Sequence, residues 1–405
     1  MMRSFVLCLA LVACRDKAAE DANAPTVPIE PVVARDAGPV DAGGKKDWPE
    51  LADLPTVTPL RVITLPSRPD VPRFTVGGPA ILKDIAVVSS SQLGFAAIDW
   101  RRGQIVWTKP AGTRLAPPLA RIDDVVLIGE CLSAPTAPGN DMQLGCARIV
   151  TPTGADQAYF MIHGGADVVA FAAEMGTQDL WPDGENGVRW RRGDKAVHVD
   201  LISGIATAAP DAKPPLTILY KGRTIEIAQS EDGAIVGKEK GKPDWQTKRK
   251  YGELLGTVWL PQSAPMIRMV HLSSFDGDPE LRLLDMDATG SMNGTASWTP
   301  LPALMLLGRA ISPAGDAALS IRLDNSIKRD YIATFAASAL LMYVFQLPEV
   351  LRPDPVGVAF ALDSDGAPEA VVAFYDGDQV AVLPAVLAPP TAPGATRGPL
   401  QNPTP

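Results

Sequence analysis

Histidine and cysteine are scarce in this chain, positive charge is in the minority, and long apolar runs are missing. Lys and Arg number 37 against 46 Asp and Glu, a net charge of −9, which leaves no electrostatic basis for binding nucleic acid or anionic lipid headgroups. Beyond the N-terminus no apolar run approaches the ~18–20 residues of a membrane-spanning helix. The three histidines, His163, His198 and His271, are the only bases open to a Ser-His-acid triad. His198 alternates with Val197 and Val199, as a surface or strand-packing residue would, whereas His163 sits at a turn. No G-x-S-x-G, H-E-x-x-H or phosphate-loop pattern occurs.

Glycine and proline are abundant, 35 and 39 residues, within a chain of 405 residues that is 46% hydrophobic. Both are poor inside helices and frequent in turns, so they argue for β-structure. The length suggests two domains, unless a closed all-β fold runs on as one.

The first residues, "MMRSFVLCLALVAC", place Arg3 before an apolar run from Phe5 to Ala13. A basic start and a short apolar run make a secretory signal rather than a membrane span. "LVAC" (Leu11 to Cys14) resembles a bacterial lipobox. That resemblance implies cleavage before Cys14 and acylation of its thiol and new amino group. Each buried methylene adds about 0.8 kcal/mol, so several chains hold firmly. Residues 14–57 are rich in Ala, Pro, Asp and Gly and are expected to be a disordered tether after a signal at 1–13. Arg15 after the cysteine, where Asp would retain a lipoprotein, points to the outer membrane.

Cysteine usage agrees with export. With Cys8 in the signal and Cys14 lipidated, Cys131 and Cys146 remain as a pair. They flank a loop rich in Pro, Gly and Asn, and a disulfide closing that hairpin is worth about 3 kcal/mol. Zinc would need four ligands, and only His163 lies near in sequence.

The stretch "PAILKDIAVVSSSQLGFAAIDWRRGQIVWTKPAG" contains four short apolar runs divided by turns, as antiparallel strands do. Its motif Ala97-x-Asp99-x-x-x-Gly103-x-x-x-Trp107 resembles the repeat of quinoprotein-like and WD40-like β-propellers. In that family Asp and Gly shape the turn between the two outer strands, and Trp packs between blades. Echoes follow at Asp200 and Gly204, at Asp287 to Gly290, and in "RAISPAGDAALSIRL". Asp276 and Asp365, each in an Asp-Gly-x-Pro-Glu stretch, are 89 positions apart, about two blades of ~40–45 residues. Four-strand units fall at 77–110, 115–163, 166–210, 215–248, 253–299 and 302–348. A last unit at 355–384 lacks one strand, which residues 59–65 supply. The expected fold is therefore all-β: a single β-propeller over 58–384, of about seven four-stranded blades, closed by strands from both termini. A disordered Pro-rich tail is expected at 385–405.

Pyrroloquinoline-quinone dehydrogenases share this repeat, but their cofactor site uses adjacent cysteines, and this chain has none. "ALDSDGAPE" resembles calcium loops, with Asp363, Asp365 and Glu369 at ligand positions and Ala361 breaking the pattern. The alternative is a plain Asp-Gly turn. Trp100, Arg101 and Arg102, with Trp190, Arg191 and Arg192, form a repeated "WRRG". It is either an exposed recognition surface or two packed indoles beside solvated arginines.

Together these residues imply an exported protein, lipid-anchored and facing the periplasm or the cell surface. Its propeller is expected to be a non-enzymatic scaffold for envelope protein, monomeric and touching membrane only through its lipid, with no cofactor unless calcium. The alternatives are a glycan- or calcium-dependent receptor, or a propeller enzyme.

Overall fold

A computed structural model describes residues 46–47, 59–66 and most of 78–385, with interruptions in turns and loops. These residues all belong to one compact unit, 41–405. The signal, most of the tether and the tail after residue 385 lie outside the described residues. Within the tether, Lys46–Asp47 runs parallel to Trp298–Thr299 and forms a short fifth strand on one blade.

The described strands fall into seven antiparallel units, which define a β-propeller. Blade 1 comprises Ala80–Leu82, Ile85–Ser90, Gly94–Asp99 and Gln104–Lys109. Blade 2 comprises Leu119–Ala120, Val125–Gly129, Met142–Val150 and Asp156–Gly164. Blade 3 comprises Gln178–Pro182, Gly187–Arg192, Lys195–Asp200 and Ile205–Ala209. Blade 4 comprises Leu216–Tyr220, Arg223–Gln229, Ile235–Glu239 and Trp245–Gln246. Blade 5 comprises Glu253–Leu260, Met266–Phe275, Asp278–Met286 and Met292–Thr299. Blade 6 comprises Met305–Ile311, Ala317–Arg322, Asp330–Phe335 and Met342–Gln346.

Blade 7 is made from both ends of the chain. Pro355–Leu362, Pro368–Tyr375 and Gln379–Pro384 supply three strands, and Arg61–Thr64 pairs antiparallel with the last of them. Leu60 N donates to Val382 O at 2.7 Å and extends the seam. Closure of this kind spares the ring an open edge between first and last blades.

Apart from those of blades 3 and 4, first strands of successive blades pack against one another, which makes them the inner strands of the ring. Alternate residues of each strand point to opposite neighbours. In blade 1, Ala86, Val88, Ala96 and Ile98 pack against Val372, Phe374 and Val382 of blade 7. Val87, Phe95 and Ala97, at the intervening positions, pack against Leu115, Val125 and Leu127 of blade 2. Because both faces are covered, such strands are apolar almost throughout.

Two departures from the expected pattern occur between blades 2 and 3. The sequence from residue 166 is helical, a 3₁₀ turn Ala166–Val168 leading into the short helix Val169–Ala173, and blade 3 begins only at Gln178. Val168, Phe171 and Ala172 bring their apolar groups to the core at helical spacing. The two outer strands also join: His163 and Gly164 pair in parallel with Ile205 and Ala206, merging both blades into one eight-stranded sheet.

Candidate functional site

The blade motif is a turn device. Asp99 Oδ1 accepts from Arg102 N at 2.8 Å, and Gly103 N donates to Asp99 O at 2.7 Å. Asp200 repeats it, with Oδ1 accepting from the backbone of Ser203 at 2.7 Å and of Ile202 at 2.9 Å. These donors hold the Asp200 carboxyl below its ordinary range, Ser203 N–H contributing most. Gly103 and Gly204 close the two turns at φ 73° and 76°, a conformation costly for residues with a Cβ. Trp107 leans across to blade 2, where its indole N–H donates to Pro152 O at 3.0 Å. Its ring packs against the blade 1–blade 2 core.

The "WRRG" pairs divide in two. Trp100 and Trp190 are only 3% and 0% exposed, so of the two readings of this motif the packed indoles hold and the recognition surface does not. Trp100 donates to Lys83 O at 3.1 Å, and Trp190 to Gln178 Oε1 at 3.1 Å with Phe171 edge-on at 4.9 Å. Burying an indole gains more than exposing it, once its one donor is satisfied. Arg192, 4% exposed, is likewise no surface residue. Its guanidinium lies 4.8 Å from the Trp190 ring and 5.0 Å from that of Phe171, and among the described residues Nη2 has no hydrogen-bond partner. Burial, and repulsion from Arg114, lower its pKa. Arg191 is held by Asp179, its Nε donating at 2.9 Å. Arg102 is exposed near Asp99.

Arg101 is a clasp across the closing seam. It donates to Asp84 at 2.7 Å in its own blade and to Glu369 at 2.6 Å in blade 7. The hydrogen bond to Asp84 does most to raise its pKa. Glu369, one of the three carboxylates read as calcium ligands, therefore already faces a cation. Asp363 is exposed, and Asp365 lies outside the described residues. Among the described residues no three His, Cys, Asp or Glu side chains converge as metal ligands would.

His163 Nδ1 hydrogen-bonds Asp141 at 2.7 Å beside the parallel junction. His198 Nδ1 hydrogen-bonds Asp183 at 3.0 Å, and Arg189 donates to the same carboxylate. Burial alone pushes the Asp183 carboxyl up, but His198 and Arg189 together outweigh it and hold it low. His271 lies on the second strand of blade 5. Cys131 and Cys146 form a disulfide, their Cα atoms 5.0 Å apart, at one end of blade 2.

A cleft of about 380 Å³ opens between the helical segment and the last two strands of blade 3. Phe171, Ala196 and Val197 form its floor, and Asp167, Asp194 and Asp211 stand around it with Lys195. A hydrogen bond from Glu174, with the Lys195 charge, keeps the Asp194 pKa low. Sequence reasoning missed this cleft. The signal was the non-alternating "ADVVAFAA" after a Gly pair, which reads as helix by its spacing.

Neither a family profile nor a curated relative matches the chain. Among solved structures it is similar to the Cps50 (Swd1) β-propeller domain of Myceliophteria thermophila, with 8% identity and a TM-score of 0.49 over 79% of this chain and 99% of that one. It is similar to the C-terminal WD40 domain of Sif2, with 8% identity and a TM-score of 0.46 over 83% and 99%. The quinohemoprotein alcohol dehydrogenase from Comamonas testosteroni gives 10% identity and a TM-score of 0.44 over 88% and 81%. The class of this protein, a β-propeller, rests on its strand order and on the seam between Arg61–Thr64 and Gln379–Pro384.

Proposed function

We propose that this β-propeller is a lipid-anchored, non-enzymatic docking scaffold of the bacterial envelope, tethered through Cys14 and presenting its blades to a protein partner. The observation that carries the reading is the pairing of a lipobox-like "LVAC" with a Cys131–Cys146 disulfide. Disulfides persist in exported proteins and are rare in reducing cytosol. Arg15 favours the outer membrane. The scaffold role draws support from the use made of the motif residues: Asp99, Gly103, Trp107, Asp200 and Gly204 build turns and blade contacts.

The test is affinity purification of the tagged full chain from crosslinked envelopes, beside a Cys14→Ala control. A stoichiometric partner, retained by the lipidated protein and lost in the control, is the expected result. A preparation with no partner from either chain would overturn the scaffold reading. An unprocessed, unlipidated wild-type chain would overturn the address.

A further inference from the structure

The cleft beside blade 3 lies along a strand edge that is only half used. Ile205–Ala209 is the outer strand of its blade, and its free side pairs with blade 2 at Ile205 and Ala206 alone. Blade 2 then leaves the sheet, because the chain turns at Gly164 and Gly165 into the helical segment. Val168 and the Ala206 carbonyl occupy the space a Cβ would need at Gly164, so the two strands part where they are closest. From Thr207 to Ala209 no described strand lies on that side. Thr207 and Ala208 are exposed. An unpaired edge of this kind is a template for another extended chain.

The surroundings say which chain. Around the cleft stand Asp167, Asp194 and Asp211, all exposed, with Lys195 the one cation among its described lining residues. The floor is apolar, from Phe171, Ala196 and Val197. The site thus combines backbone pairing, a shallow apolar seat and an excess of negative charge. We propose that the Thr207–Ala209 edge receives an extended segment of a partner protein that runs on from where blade 2 departs and directs Lys or Arg side chains at Asp167 and Asp211. β-strand addition supplies affinity through main-chain hydrogen bonds, and side chains on alternate positions supply selectivity. The acidic rim adds rate and discrimination against acidic chains. This inference rests on the scaffold reading and names its surface.

The first probe is a short fluorescent peptide alternating lysine with valine and threonine, compared with its glutamate counterpart, binding to the full mature chain. Asp167→Lys with Asp211→Lys should weaken the lysine peptide by about tenfold or more, ~1.4 kcal/mol, and Ala170→Trp should block it by filling the cleft. All three positions are exposed, so the fold should survive, which circular dichroism checks. Amide exchange at 207–209 should slow when the lysine peptide binds. Failure of that peptide to bind, equal binding of both peptides, or indifference to the variants would overturn the proposal. The envelope pull-down separates the two readings. A partner captured equally by wild type and by the D167K/D211K chain leaves the scaffold standing and removes the cleft. Absence of any partner removes the scaffold, whatever the peptides do.

Discussion

The ring of Trp107, on the outer strand of blade 1, lies directly against Gly154 in the turn between the third and fourth strands of blade 2. A Cβ on Gly154 would come within 2.6 Å of Trp107 Cδ1. Trp245 of blade 4 meets Gly290 of blade 5 in the same way, with Cε3 at 2.6 Å. Arg61, on the outer strand of blade 7, takes the corresponding place against Gly103 of blade 1. The blades are thus keyed rim to turn, one side chain over one glycine.

Gly154→Ala should destabilise the propeller by about 1–3 kcal/mol, since the position has φ 87° and no room for a methyl group. Combining it with Trp107→Ala should cost less than the sum of the two, because the clash then vanishes. Denaturant titration of the four proteins in this cycle measures the coupling. Strict additivity would show that ring and glycine do not act together.

Reducing the Cys131–Cys146 bridge, or replacing both residues with serine, should lower stability by about 3 kcal/mol, as loop-closure entropy estimates for a loop this short. The readout is the unfolding midpoint with and without reductant. The serine variant should be insensitive to reductant, and a wild type that is also insensitive would argue against the bridge.

Acid should weaken the fold partly through Asp183 and Asp200, both held below the ordinary value of 3.8. A depressed folded pKa stabilises above the unfolded value and is lost as pH falls through the folded one. Asp183→Asn and Asp200→Asn should therefore lower stability near neutrality and flatten its decline below about pH 4. Unfolding curves from neutral pH down to pH 2.5 or so test this; parallel curves for variant and wild type would contradict it.

Arg101→Ala should cost little, about 0.2–1 kcal/mol, because Arg101 and Glu369 are 40% and 38% exposed. The loss should shrink in high salt. A cycle with Glu369→Gln isolates the bond across the seam.

Much of the ring was legible because its strands carry period-2 signals bounded by Gly and Asp turns. "DYIATFAASALLMYVFQLPE", helical by composition in its middle, gives the strands Asp330–Phe335 and Met342–Gln346, as the blade spacing implies. The neighbour each residue faces was hidden. Ala96 and Ala97 look alike in the sequence, yet one faces blade 7 and the other blade 2. Arg192 departs from both readings of its motif for a related reason: an arginine beside Trp looks solvated, but in a strand covered on both faces it stacks inside. The helix that walls the cleft had a local signal in "ADVVAFAA", but the cleft itself depends on where blade 2 leaves blade 3, a relation between residues 164 and 206.

The seam between Arg61–Thr64 and Gln379–Pro384 also fixes an order of events. A chain emerging N-terminus first presents one partner of this pair long before the other exists. Until the last strand arrives, Arg61–Thr64 has no strand to pair with. Non-local pairing of this kind is slow and exposes sticky edges while it is pending. Truncation after residue 375, which removes the final strand and the segment that follows it, should therefore leave a chain that aggregates rather than a ring shortened by one strand.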